Sequence, residues 1–190
     1  MPTKFSLIAA LLAMAAVPAA GQENAAPVCG LSLYTIEGSS MAPLVQPGDK
    51  VETMPPQCLG RDIQDGDVIV FTNSAVRTAV IKRVIARGAD RFAVKDGTVL
   101  VNGKKVTTAD GREFHLSDGR LGMIRVYESG YNGVVPATAY LVMGEQPGGT
   151  TDSTRFGMVD LSDIKGVMVR NLNAEQRAQD AKNPSGVTRP

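Results

Sequence analysis

Tryptophan is absent from this 190-residue chain, histidine occurs once and cysteine twice. Each scarcity closes a route. A Ser–His–Asp triad needs a histidine, and the single one, His115, stands in "GREFHLSDGR" among polar turn signals, where a hairpin loop is its simplest setting. Two cysteines and one histidine cannot build a structural zinc site without carboxylates, so neither a metal nor another cofactor is expected. An excess of one charge is also missing, since 20 basic residues face 19 acidic ones. Nothing therefore marks a nucleic-acid partner or a polybasic membrane patch. Internal repeats are absent, and no strong helical periodicity precedes the C-terminal tail.

What is plentiful is glycine (20) and proline (11), the residues of turns. Between the turns lie short β-like runs: "LSLYTI" (31–36), "KVETM" (50–54), "DVIVF" (67–71), "AVIKRVIA" (79–86), "RFAVK" (91–95), "VLV" (99–101), "MIRVY" (123–127), "AYLVM" (139–143) and "IKGVMV" (164–169). Asn102-Gly103 suits the tip of a hairpin, because both residues tolerate positive φ. The pattern predicts an all-β fold, mainly antiparallel and barrel-like. "NAEQRAQDAK" (173–182) has helix-forming residues but no apolar face. The reading is therefore one domain over 29–170, followed at 171–190 by a short polar helix or disordered tail.

The N-terminus carries one early cation, Lys4, then an apolar run from Phe5 to Ala20 and a small-residue region. That is the layout of a secretory signal peptide over 1–21. A short membrane anchor is the alternative, although a span needs about 20 apolar residues. Either way the folded part is expected outside the cytoplasm, in the periplasm or on the extracytoplasmic face of the inner membrane. Cys29 and Cys58 are the only pair in the mature part. In such a compartment they read as a disulfide, with two inert buried thiols as the other option.

"EGSSMAPLVQPGD" (37–49) places two serines on a bend rich in proline and glycine. Such a bend can be turn chemistry alone, or it can present a hydroxyl to a substrate. With histidine nearly absent, a neutral lysine is the remaining activator. Free lysine has a pKa near 10.4, so about one molecule in 2,500 is neutral at pH 7, whereas a pKa of about 8 raises this to roughly one in ten. The shift costs about 3 kcal/mol, which burial among apolar groups can supply. Lys82 has the right neighbours. In "TAVIKRVIARGAD" it shares a strand face with Val80 and Val84. The competing reading is an edge strand from which Lys82 snorkels to water.

Five blocks in order tip the balance: "GSSMAPLVQPGDKV" (38–51), "DGDVIVF" (65–71), "VIKRVIARGADRF" (80–92), "VLVNGKKV" (99–106) and "YLVMGEQPGGTTDSTRFGMV" (140–159). Together they resemble the signature blocks of type I signal peptidases, the Ser/Lys endopeptidases that remove signal sequences. The resemblance covers about 31–169. It implies Ser40 as nucleophile and Lys82 as general base, with Thr150 orienting the amine and Asp152 supporting the site. It also implies exported preproteins as substrates, bound as extended strands and cut after Ala-x-Ala-like residues. Met41, Val80 and Ile81 are the candidates to line the side-chain pockets, and the membrane surface is a candidate partner.

The departures are specific. Glu145 stands for the usual Asp, and Leu44 replaces a Thr. Pro147 and Thr154 stand where arginines are common, which leaves Asp152 in need of another cation, Arg155 being the nearest in sequence. Gly38 lies where some members place a second oxyanion-hole hydroxyl. The short leader and the compact insert between Val106 and Tyr140 also suit a dedicated maturation peptidase for pilin, conjugation or secretion components. An inactive binding protein on the same fold is a further alternative. The self-cleaving repressors share the Ser/Lys core but carry a DNA-binding segment where this chain has an export signal.

Overall fold

The computed structural model describes residues 29–74 and 76–182. The expected leader at 1–21 and the last eight residues of the tail lie outside them. Ten strands and three helices follow in order: β1 Ser32–Thr35, β2 Lys50–Met54, β3 Val68–Asn73, β4 Val76–Ala86, β5 Phe92–Lys95, β6 Thr98–Val101, β7 Lys104–Lys105, α1 Asp118–Gly130, β8 Ala139–Met143, α2 Ser153–Phe156, β9 Val159–Asp160, β10 Ile164–Asn171 and α3 Leu172–Lys182. Seven strands form one sheet in the order β1-β2-β10-β3-β4-β8-β9, and β5-β6-β7 form a second. Every pairing is antiparallel, as the turn-separated runs predict.

Local chemistry explains the elements. At the hairpin between β6 and β7, Asn102 has φ 49° and Gly103 φ 78°, the positive pair that a tight two-residue turn requires. The long β4 is rich in β-branched residues and buries Ile81, Val84 and Ile85. Its pairing with β8 involves only Arg83, Val84 and Ala86, so the 78–82 half keeps one backbone edge open. β1, at the rim of the large sheet, is open on one side as well. Cys29 is bonded to Cys58. Closing a loop of this size contributes about 3–4 kcal/mol through the unfolded chain.

One run differs from the sequence expectation. "MIRVY" is not a strand but the middle of α1. Leu121 and Ile124 are buried and Tyr127 is half-buried, while Val126 is 67% exposed. In a strand, Ile124 and Val126 would share a face. The spacing 121, 124, 127 is instead that of a helix side, and it packs with Phe92, Val99 and Val101 of the small sheet.

Of the two expectations for the tail, the short polar helix forms: α3 spans Leu172–Lys182 without burying a single residue. Polar contacts replace the missing apolar face. Arg177 donates through both terminal nitrogens to the Asp49 carboxylate at 2.7 and 3.0 Å, Asn171 Nδ2 donates to the same group, and Asn173 Oδ1 accepts from Lys50 N. Asp49 is almost fully buried and ends the bend that carries Ser40. The Arg177 bond, with those of Asn171 and the Gln46 N–H, holds its carboxyl well below the usual range despite burial. A depressed carboxyl stabilises the fold fully above its unfolded pKa of about 4, and the contribution is lost as pH falls below that value. Melting curves should show wild type losing stability between pH 5 and pH 2.5 more steeply than Asp49→Asn. Parallel curves for the two proteins would contradict this account of the tether.

Candidate active site

The bend from Glu37 to Asp49 leaves β1 and returns into β2, and its apolar side chains anchor it from below. Met41 and Val45 are fully buried with Ile36, Val51, Val70 and Ile81. Met41 is thus a core residue rather than a lining residue, a correction to the sequence expectation: the side chain that follows the serine turns inward and fixes the bend. Ser40 faces the other way.

Ser40 and Lys82 meet. Lys82 Nζ donates to Ser40 Oγ at 2.9 Å and to the Ile81 carbonyl at 2.8 Å. The lysine is only 3% exposed. Ile69, fully buried, lies directly across from it on β3. Burial drives the ammonium pKa down from 10.5 to about 8, and the charge of Asp152 acts against that shift. The nitrogen therefore sits near the point where a proton can be taken or given at working pH. The alternative of a snorkelling Lys82 on a wet edge does not describe this side chain.

A cleft of about 420 Å³ opens above the pair, walled by the segments 34–38 and 78–82 with Val70 between them. Val80 and Ile81 are among the residues that line it; Met41 is not. Gly38 sits on the rim, where a Cβ would meet nothing within 4 Å. A larger groove of about 600 Å³ lies elsewhere, between the small sheet and the C-terminal half of α1.

The segment after β8 closes the site from below. Glu145 N donates to Ser40 O at 2.8 Å, and Gln146 Nε2 donates to the carbonyls of Ser39 and Ala42. Gly144 has no room for a side chain: a Cβ would stand 2.5 Å from Thr150 Oγ1 and 2.6 Å from Ser40 O. Thr150 donates its hydroxyl to Asp152 Oδ2 at 2.6 Å, whereas the lysine's own bonds go to Ser40 and Ile81. Asp152, wholly buried, also accepts from the N–H groups of Gly144, Thr150 and Thr154 and from the Thr154 hydroxyl. Thr150 and Asp152 thus form one hydrogen-bonded turn beside the pair.

Two contributors escape a reading by blocks. The first is Arg120, whose guanidinium donates to Thr150 O and Thr154 Oγ1 and stands 3.9 Å from Asp152 Oδ1. It comes from α1, in the insert, while Arg155 is exposed and makes no ion pair with Asp152 among the described residues. In the sequence Arg120 ends "GREFHLSDGR", a stretch of polar turn signals just before the 123–127 run read as a strand, so nothing there marks its partner. The second is the pair of Arg83 and fully buried Glu145. Its members lie 62 residues apart in two different blocks, and nothing in the sequence marks them as partners. His115 is exposed, and its backbone N–H donates to Pro147 O. Among the described residues, no group of three or more His, Cys, Asp or Glu side chains is arranged to hold a metal ion.

Comparison with known proteins supplies the family. The family described as Signal peptidase, peptidase S26 matches residues 7–171. A signal peptidase I from Bacillus caldolyticus is 33% identical over 138 residues, covering 71% of this chain and 75% of that protein. Signal peptidase IB from Staphylococcus aureus strain COL is 29% identical over 140 residues, covering 70% and 73%. Among solved structures, a signal peptidase I from Enterococcus faecalis V583 overlaps 56% of this chain and 97% of its own, at TM-score 0.39 and 23% identity. With a family match over residues 7–171, and a relative 33% identical over 138 residues, the chain belongs to the signal peptidase family, peptidase S26.

Proposed function

We propose that this chain is a serine endopeptidase of signal-peptidase type that removes leader sequences from exported proteins, with Ser40 as nucleophile and Lys82 as general base. The observation that carries the reading is the 2.9 Å contact between the serine hydroxyl and a lysine amine that burial has brought to a pKa of about 8. As Ser40 Oγ attacks the scissile carbonyl, its proton passes to neutral Lys82. The developing oxyanion is held by the Ser40 N–H. Lys82 next gives the proton to the departing amine, and the acyl-enzyme is cleared by a water that Lys82 deprotonates. Asp152 and Thr150 support the turn beside the amine.

The substrate reading rests on the open edges. β1 and the 78–82 half of β4 flank the cleft with unpaired backbone, so an extended peptide can bind by strand addition. The walls between carry Ala79, Val80 and Ile81, apolar surfaces suited to small residues before the cut, in the Ala-x-Ala pattern. The leader expected at 1–21 supports action at the extracytoplasmic face of the membrane, next to where preproteins emerge. Among the described residues no helix is long and apolar enough to cross a membrane.

A signal-peptide substrate and an acylating inhibitor test this directly. Wild type should cleave after the small residue, and kcat/KM should rise with pH along an acid limb centred near 8, the neutral fraction of Lys82. Ser40→Ala should abolish both cleavage and covalent labelling. Cleavage by Ser40→Ala, or an inert wild type whose Ser40 takes no label, would overturn the proposal.

A further inference from the structure

The insert helix begins beside the last motif block, and its Arg120 is unusually placed. A cation in the first turn of a helix opposes the helix dipole, and Arg120 is only 14% exposed. Such a residue needs partners, and it has them on one turn: Thr150 O and Thr154 Oγ1, with Asp152 Oδ1 at 3.9 Å. The turn is shaped to receive it. Gly149 has φ +82°, and a Cβ there would stand 2.9 Å from Arg120 Nη1 and 3.0 Å from its Cδ and Cζ. Glycine at 149 therefore serves both the backbone and the seat of the guanidinium.

We propose that Arg120 is a positioning residue for the Ser40–Lys82 pair, clamping the 150–154 turn and offsetting the charge of Asp152 so that Lys82 is free to give up its proton. The proposal rests on the catalytic reading of that pair. Asp152 pulls the lysine toward its protonated form, and Arg120 supplies the opposing charge. The other charged groups nearby are already engaged. Arg83, next to Lys82 on β4, is bound to Glu145. Arg112 pairs with Asp110 while reaching the Glu145 carbonyl. Arg155 on α2 and Glu37 on the cleft rim are exposed. Across β3 the neighbour is Ile69. Arg120 is thus the one guanidinium that faces Asp152 among the described residues.

The test compares Arg120→Gln, which can still donate hydrogen bonds but carries no charge, with Arg120→Lys, which keeps the charge. Wild type must first cleave and label at Ser40; if it does neither, the catalytic reading fails before this one is examined. In an active enzyme, Arg120→Gln should move the acid limb of kcat/KM up by about one pH unit, which is about a tenfold loss at pH 7 that closes by about pH 9.5. Arg120→Lys should keep the wild-type limb. A uniform loss at all pH values in Arg120→Gln would mark Arg120 as merely structural and overturn the proposal. If Arg120→Gln does not fold, Arg120→Lys decides alone, since a displaced limb in that variant overturns it equally.

Discussion

Lys82→Met is expected to destroy activity and, at neutral pH, to raise the melting temperature. The first effect follows from the proposed chemistry: with no base against Ser40, cleavage should fall by about three orders of magnitude or more. The second follows from burial. Lys82 is 3% exposed, and its pKa falls from 10.5 to about 8. At pH 7 most molecules carry a charge there that the unfolded chain holds more easily. The sign is fixed by proton counts: between about pH 8 and 10.5 the unfolded state binds more protons at this site, so wild-type stability rises with pH. Below pH 8 the full penalty of about 3 kcal/mol stands. Methionine removes it while filling similar space, at the cost of the bonds to Ser40 Oγ and Ile81 O. A net gain of about 1–2 kcal/mol, or roughly 2–8 °C, is expected at pH 7. The advantage should shrink as pH approaches 10.5. Thermal melts at pH 7 and pH 10 decide the matter. A variant that melts below wild type by the same margin at both values would show that the amine is not desolvated.

The contrast between what the sequence reveals and what it hides has one physical source. The strand around Lys82 was legible because its message is local: a cation among β-branched residues on a short period has few explanations. The Asn102-Gly103 hairpin was legible for the same reason, since positive φ restricts the residues allowed. α1 was misread because "MIRVY" has strand composition, and only the burial of Ile124 beside an exposed Val126 separates the two periods. α3 was undervalued because its docking is polar, through Arg177 and Asp49, which leaves no hydrophobic stripe. Met41 stands next to Ser40 in sequence, yet its side chain is buried in the core under the bend while Ser40 lines the cleft. Arg120 and the Arg83–Glu145 pair are long-range matches between charges, and a charge in sequence does not announce its partner.

That last pair should dominate the stability of the site. Glu145 is wholly buried; its Oε1 accepts from Arg83 Nε and its Oε2 from Ala109 N, both at 2.5 Å. Arg83, 13% exposed, also donates to Thr107 O. One carboxylate thus ties the strand residue after Lys82 to the 107–109 loop, while its own backbone N–H holds Ser40 O. Glu145→Ala leaves a buried guanidinium and an N–H without their acceptor, which costs about 3–5 kcal/mol. For a chain of this size that is a fall of roughly 6–20 °C in melting temperature. Glu145→Gln keeps an acceptor and should cost less, about 1–3 kcal/mol. Because desolvation is the source of the penalty, replacing both partners, Arg83→Met with Glu145→Leu, should recover much of what Glu145→Ala loses. Urea unfolding of the four proteins measures this. Glu145→Ala unfolding with wild type would mean that water reaches the pair, and a double variant no better than Glu145→Ala would mean that the ion pair itself, rather than its burial, carries the stability.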